Sequence, residues 1–365
     1  MPRIDAFLEI GRQQGGSDIH FTVGRPPLVR LDGELVPIKY RAIEADELRA
    51  FLGELLDEHR SHELEERGSC DFAHAAEGIG RFRVNVLRQR RGMGAIFRVI
   101  PDEVPSLSTL GLPRVVQQFT TLRSGLVLVT GPTGTGKSTT LAAMIREIAE
   151  TRSVNIVTLE DPVEFLHRSG RSLVIQREIG TQVGSFRDGL RAALRQDPDV
   201  ILVGELREPD AISLALEAAE TGHLVLGTLH TRGAAQTIDR IVDAHPTEQQ
   251  GQVRHSLADN LKAVVSQELI RAADGRGRRA ALEILVLTTA VQQMVREGKT
   301  FQIPGAITTG KRLGMQLMDQ AMLSLVRAGE IDPDEAFLRA EDKWGFAPFL
   351  TRPELLTMAH GDRAA

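Results

Sequence analysis

Apolar and polar positions follow two different rhythms along this chain, and the change comes near Val115. Before it the runs are short and varied. Ile4, Phe7 and Leu8 recur at helical spacing and predict a helix over 2–12. Ile19, Phe21 and Val23 alternate, which predicts a strand over 18–23, ended by Gly24-Arg25-Pro26-Pro27. Two further strands, 28–31 and 34–38, flank Asp32-Gly33, a strong hairpin signal. Leu48, Leu52, Leu55 and Leu56 set a helix over 45–59. Strands over 81–86 and 95–100 lie on either side of Gly92-Met93-Gly94. Pro101, Pro105 and Pro113 then break up the stretch before Val115. A linker is therefore expected at about 101–114, between a small α+β N-terminal domain (1–100) and a second domain (115–365).

From Val115 onward, apolar runs alternate with helical stretches: a run at 126–130, a helix over 137–150, then runs at 154–159, 200–203 and 224–229. Continuous apolar strands are buried on both faces, as in a parallel sheet covered by helices. The fold class expected here is α/β, with a mostly helical part from about Leu287. The stretch from Trp344 to Ala365, with Pro348, Pro353 and a final Gly361-Asp362-Arg363-Ala364-Ala365, reads as a loose tail. No internal repeat and no low-complexity tract interrupts the chain.

Composition narrows the function classes. The 365 residues are 42% hydrophobic and 25% charged, the balance of a globular protein with a sizeable core. A net charge of −5 argues against a chain that lives on nucleic acid, and 4% aromatics offer no stacking platform for bases. One cysteine, Cys70, excludes a disulfide framework and a Cys-rich zinc site, and it reads as a small core residue. Residues 1–10 lack the apolar stretch of a signal peptide, and apolar runs such as 282–287 are too short to span a bilayer. The expectation is a cytoplasmic protein that reaches a membrane only through a partner.

The chemistry is concentrated in four segments. Gly131-Pro132-Thr133-Gly134-Thr135-Gly136-Lys137-Ser138, followed by Thr139, fits the P-loop pattern at every position, after an apolar strand and before a helix. Its glycines let backbone N–H groups turn toward phosphate oxygens, and the helix points its positive end at the anion. Lys137 suits the β and γ phosphates, and the Ser138 hydroxyl suits Mg²⁺. No Asn-Lys-x-Asp segment for reading guanine surrounds Asn85, Asn155 or Asn260, so ATP is favoured.

The second segment, Thr158-Leu159-Glu160-Asp161-Pro162-Val163-Glu164, puts three carboxylates after a strand, where an α/β sheet meets its ligand. Glu164 suits polarising the attacking water; Glu160 and Asp161 suit the Mg²⁺ shell. The bland reading is an acidic loop turned by Pro162. In the third, Asp199-Val200-Ile201-Leu202-Val203-Gly204-Glu205, a Walker B strand ends in glycine and then Glu205, which suits Mg²⁺ through water. The fourth runs from Thr221-Gly222-His223 to His230-Thr231. The histidines are seven positions apart, a spacing that sets them on opposite faces of a regular strand and disfavours a metal pair. Each is either a structural histidine or a sensor of the γ-phosphate or of a neighbouring subunit.

In this order the four segments resemble the secretion ATPase superfamily of type II and type IV secretion and type IV pili, most closely the pilus retraction ATPases (PilT family). The likeness runs over nearly the whole chain. It includes Gly16-Ser17-Asp18-Ile19-His20, Arg81-Phe82-Arg83-Val84-Asn85, Arg91 to Arg98, and Glu217 to Leu224. The resemblance implies a homohexameric ring with a PAS-like N-terminal domain and a RecA-like ATPase domain. Nucleotide then binds between the domains, and arginines of the N-terminal domain complete the site. Carried over, Arg83 and Arg98 are the arginine fingers, with Arg81 and Arg88 behind them, and Glu164 is the general base. The partner implied is a platform protein of the inner membrane, with the motor peripheral at its inner face. One segment departs from the family. Where Ala-Ile-Arg-Asn-Leu-Ile-Arg-Glu is usual, this chain has Ala290-Val291-Gln292-Gln293-Met294-Val295-Arg296-Glu297. Other readings are a pilus or secretion assembly ATPase, which usually carries an extra domain and a Cys tetrad, an accessory retraction ATPase, a RecA-like translocase on nucleic acid, and a module that holds ATP without hydrolysing it.

Overall fold

The computed structural model describes residues 2–31, 33–101 and 103–356. Asp32 of the expected hairpin turn, and 357–365 of the expected tail, lie outside the described residues. The chain divides into two compact units, one of residues 1–104 with 162–166, the other of residues 105–161 with 167–365.

The first unit holds helix α1 (Asp5–Gln13), strands β1 (Asp18–Thr22), β2 (Leu28–Leu31) and β3 (Glu34–Pro37), helices α2 (Ala45–Gly53) and α3 (Glu58–Arg67), and strands β4 (Ser69–Ala76), β5 (Gly80–Gln89) and β6 (Gly92–Ile100). The six strands form one antiparallel sheet in the order β3-β2-β1-β6-β5-β4. Alternation decides its faces. Ile19, Phe21, Phe82, Val84 and Phe97 turn one way and are buried among the helices, with Cys70 beside them. Asp18, Arg83 and Arg98 turn the other way. The helix expected over 45–59 is two helices, because Asp57 caps a fresh start by accepting from the Arg60 N–H at 2.8 Å. β4 was not expected; its alternation is blurred by Ser69, Asp71 and His74.

The second unit holds α4 (Arg114–Phe119), β7 (Gly125–Thr130), α5 (Lys137–Thr151), β8 (Asn155–Glu160), β9 (Leu173–Glu178), α6 (Phe186–Ala193), β10 (Val200–Val203), α7 (Pro209–Glu220), β11 (Leu224–Leu229), α8 (Ala234–Asp243), α9 (Thr247–Asn260), β12 (Leu261–Arg271), β13 (Arg278–Val286), and then α10 (Thr289–Arg296), α11 (Ile303–Thr309), α12 (Met318–Arg327) and α13 (Pro333–Arg339). Its sheet runs β13-β12-β7-β11-β10-β8-β9 and is parallel except for β13 at the edge. Each central strand buries both faces. Leu126 and Leu128 enter one core with α7, α8 and α9, while Val127 and Val129 enter another with α5. β9 and the β12–β13 pair were not among the expected strands.

The stretch from Trp344 is no loose tail as far as Leu356. Phe346 and Leu355 are buried against Phe337 and Met322. Asp334 fixes this segment: Thr351 N–H and Arg352 N–H both donate to its carboxylate, at 2.9 and 3.3 Å, as do the Thr351 hydroxyl and the Arg352 guanidinium.

Candidate functional site

The parallel sheet delivers four of the singled-out segments to one edge. β7 ends at Thr130, β8 at Glu160, β10 at Val203 and β11 at Leu229, and all four run the same way. The loop after β7 is the P-loop. Its backbone takes positive φ at Gly131 (+139°) and Gly136 (+85°), which suits glycine. Lys137 is nearly buried, and its Nζ donates to the carbonyls of Gly131 at 2.8 Å and Pro132 at 2.9 Å. Thr135 folds back onto the Pro132 carbonyl. Ser138 is exposed at the start of α5, and Thr139 is half-buried. A loop of turned glycines with a lysine aimed across it, opening a helix, fits a polyphosphate.

A polar chain links this loop to the neighbouring strand ends. Thr133 Oγ1 lies 3.4 Å from His230 Nδ1, and His230 Nε2 lies 3.3 Å from Glu205 Oε1, which Arg207 also contacts. Glu205 therefore sits beside the phosphate loop through His230. Gly204, in the usual Walker B position, donates its N–H to the Leu159 carbonyl at 2.7 Å and so ties β10 to β8. Glu160 accepts from Thr158 Oγ1 at 2.7 Å and from Gln176 Nε2 at 3.1 Å. Asp161 comes next, on the exposed loop. Ser138, Glu160, Asp161 and Glu205 offer the oxygen chemistry that Mg²⁺ requires, but among the described residues no three His, Cys, Asp or Glu side chains are gathered closely enough to hold a metal ion by themselves.

His223 is elsewhere. The histidines flank β11, one at each end, so about 23 Å of strand separates them. His223 Nδ1 bonds the Ala218 carbonyl at 2.9 Å, and its own carbonyl accepts from Gly125 N–H at the start of β7. That is the end of the sheet away from the phosphate loop, so His223 is no partner of its own chain's P-loop.

In the first unit, Arg83 and Arg98 face each other in register across β5 and β6. Arg98 donates to Asp18 Oδ1 at 2.9 Å. Burial pushes the Asp18 carboxyl up, but the bonds from Arg98 and Ser17 outweigh it and hold it below the usual carboxylate range. Arg83 pairs with Glu164 at 3.7 Å, both about two-fifths exposed. Glu164 thus belongs to the first unit, whereas Glu160 and Asp161 belong to the second. Arg81 lines a cleft with Glu9, Arg12, Ile79 and Ile100, and Arg88 has an exposed side chain on β5.

One residue beside the phosphate loop carried no signal in the sequence. Gln267 of β12 is buried, donates from Nε2 to the Thr135 carbonyl at 2.6 Å, and accepts from Thr140 Oγ1 at 2.8 Å. Its strand was itself unexpected, and a glutamine so far along the chain from the P-loop announces nothing by spacing.

Parallel strands that bring a lysine-bearing glycine loop, carboxylates and a histidine to one edge build a P-loop ATPase, and this chain is one. It belongs to the Type II/IV secretion system protein family, whose model matches residues 12–332. The type IV pilus retraction ATPase PilT of Pseudomonas aeruginosa is 45% identical over 338 residues, which are 93% of this chain and 98% of that protein. A twitching motility protein of Neisseria gonorrhoeae is 47% identical over 316 residues, 87% of this chain and 84% of that one. The crystal structure of the pilus retraction motor PilT with bound ADP superposes with a TM-score of 0.85 at 43% identity, covering 92% of this chain and 97% of that chain. The fold is accordingly the secretion ATPase fold, with an α+β N-terminal part and a RecA-like ATPase part. Among the described residues, no helix is long and apolar enough to cross a membrane.

Proposed function

We propose that this chain is the ATP-driven motor that retracts type IV pili, working as a homohexamer on a platform protein at the inner face of the inner membrane. The observation that carries this is end-to-end similarity, 93% of this chain against 98% of a pilus retraction ATPase, with the phosphate loop and the His230–Glu205 link in place.

In this reading the backbone N–H groups of residues 131–138, with Thr139 beside them, and the Lys137 ammonium hold the phosphates of ATP. Ser138 and Glu205, with Glu160 and Asp161, would hold Mg²⁺, which would supply positive charge to offset that of the phosphates. Glu164 takes the proton of the attacking water. Arg83 and Arg98 neutralise charge on the transferring phosphoryl group. His230 connects the state of the loop at Thr133 to Glu205. His223, remote from its own phosphate loop, serves a neighbouring subunit. Arg83 and Glu164 hold each other at 3.7 Å, so each must leave the other before acting.

Deletion of the gene tests the reading. Excess surface pili without twitching is the expected phenotype, restored by the wild-type gene and not by Lys137→Ala. Absence of pili would replace retraction with assembly. A second reading, an accessory retraction ATPase, is favoured by the altered 290–297 segment, where Gln293 is exposed on α10 and bonds Glu297. It predicts normal pili on deletion and a retraction defect only when a second retraction motor is weakened.

A further inference from the structure

We infer that Gln267 is a positioning residue that holds the phosphate loop in its nucleotide-accepting shape, so that affinity for ATP is set partly from β12. This rests on the ATPase class and not on the work done on pili.

Alternation places Gln267 on the same face of β12 as Ala263 and Val265, which pack with α5. That face turns from apolar to polar at the level where α5 gives way to the loop. Ser266 is in register with Thr130, the last residue of β7, and the two hydroxyls meet at 2.6 Å. Gln267 therefore stands one residue beyond the end of β7, against the loop.

Its carboxamide grips two points on either side of Lys137. Nε2 holds the Thr135 carbonyl and Oε1 takes the Thr140 hydroxyl. The first bond has a directional consequence. In a trans peptide the C=O and the following N–H point opposite ways. Holding the Thr135 carbonyl toward β12 therefore turns the Gly136 N–H away from it. Without that hold the peptide can flip, and a carbonyl pointed at a phosphate repels it.

The loop is also pressed close to this strand. A Cβ at Gly131 would lie 2.3 Å from the Gln267 carbonyl oxygen, and one at Gly136 would lie 2.9 Å from its Nε2. At Gly131 the backbone of β12 therefore leaves no room for a side chain, while at Gly136 the positive φ adds to the closeness of the Gln267 amide.

The test uses purified full-length protein and three variants. Gln267→Glu keeps the shape but sets an oxygen against the Thr135 carbonyl. Gln267→Met keeps the volume and removes both bonds. Thr140→Val removes only the α5 anchor. Fluorescent ADP and ATP analogues give Kd, steady-state kinetics give kcat and KM, and thermal unfolding without nucleotide reports the fold. Losing the donor to a buried carbonyl is expected to raise Kd and KM about tenfold or more, with kcat at saturating ATP within about threefold of wild type. Thr140→Val should raise Kd by less than about threefold. A folded Gln267→Met protein with wild-type Kd would overturn the inference. So would a fall in kcat at unchanged Kd, or unfolding of all three variants, which would make Gln267 a core strut. A failed pilus phenotype leaves these titrations standing.

Discussion

Arg83 and Arg98 stand side by side on one sheet face, but their removal should not have the same consequences. Arg98 is the chief partner of Asp18, whose side chain is 8% exposed, so its loss leaves a buried carboxylate with the weaker company of Ser17, His20 and Arg30, the last at 4.0 Å. Arg83 meets Glu164 at 3.7 Å in a half-exposed setting, where an ion pair contributes about 0–1 kcal/mol. Arg83→Ala should therefore lower kcat by about tenfold or more, with nucleotide Kd and Tm near wild type. Arg98→Ala should lower kcat and also drop Tm by several degrees, read by calorimetry. Equal losses of kcat and of nucleotide affinity in Arg83→Ala would remove it from the phosphoryl-transfer step. The carboxylates and arginines were legible one by one as residue types in suggestive runs. Which meets which was not legible, because Arg83 and Glu164 come together only through the packing of 162–166 with the first unit.

At the scale of elements, the segment after Trp344 shows how one buried carboxylate can order a stretch that composition marks as loose. Burial raises the Asp334 carboxyl, but the bonds from Thr351 and Arg352 outweigh it and bring it down to about 2. A folded value below the unfolded one means that this anchor is at full strength above the ordinary aspartate range. It is lost as pH falls through about 2. Local protection of residues 344–356 in hydrogen exchange should therefore decline between about pH 4 and pH 2, ahead of the sheet of the second unit. Asp334→Asn at neutral pH should expose the same segment to limited proteolysis, at a cost of about 1–3 kcal/mol. Protease resistance equal to wild type would show that Phe346 and Leu355 hold it unaided. The same scale explains the missed strands. β9 is a half-exposed edge, and β12 carries Lys262, Ser266 and Gln267 among its apolar residues, so neither keeps one period.

For the whole molecule, the proposed ring makes activity depend on assembly. ATPase rate per chain should rise with protein concentration and level off where sedimentation velocity reports a hexamer. A fully active monomer would rule out a ring as the working unit. Glu283 adds a constraint on the second unit. It is half-buried on β13 and accepts the Ala234 N–H at the start of α8 at 2.7 Å, a carboxylate against a helix's positive end. Burial, more than anything else, raises its pKa. Glu283→Gln should therefore be better tolerated than Glu283→Ala, which leaves the Ala234 N–H without its acceptor; Tm separates the two.

The sequence by itself determined the class of chemistry and most of the central sheet. A P-loop is a local object, eight consecutive residues whose glycines and lysine must succeed one another in order, and strands buried on both faces write themselves as unbroken apolar runs. The tertiary structure alone decided which distant groups complete the site. Gln267 reaches the loop because β12 lies beside β7, His230 joins Glu205 because β11 lies beside β10, and His223 is carried to the far end of the same strand. Strand order is fixed by how the apolar faces of all the strands and helices pack together, and no short stretch of residues contains that information.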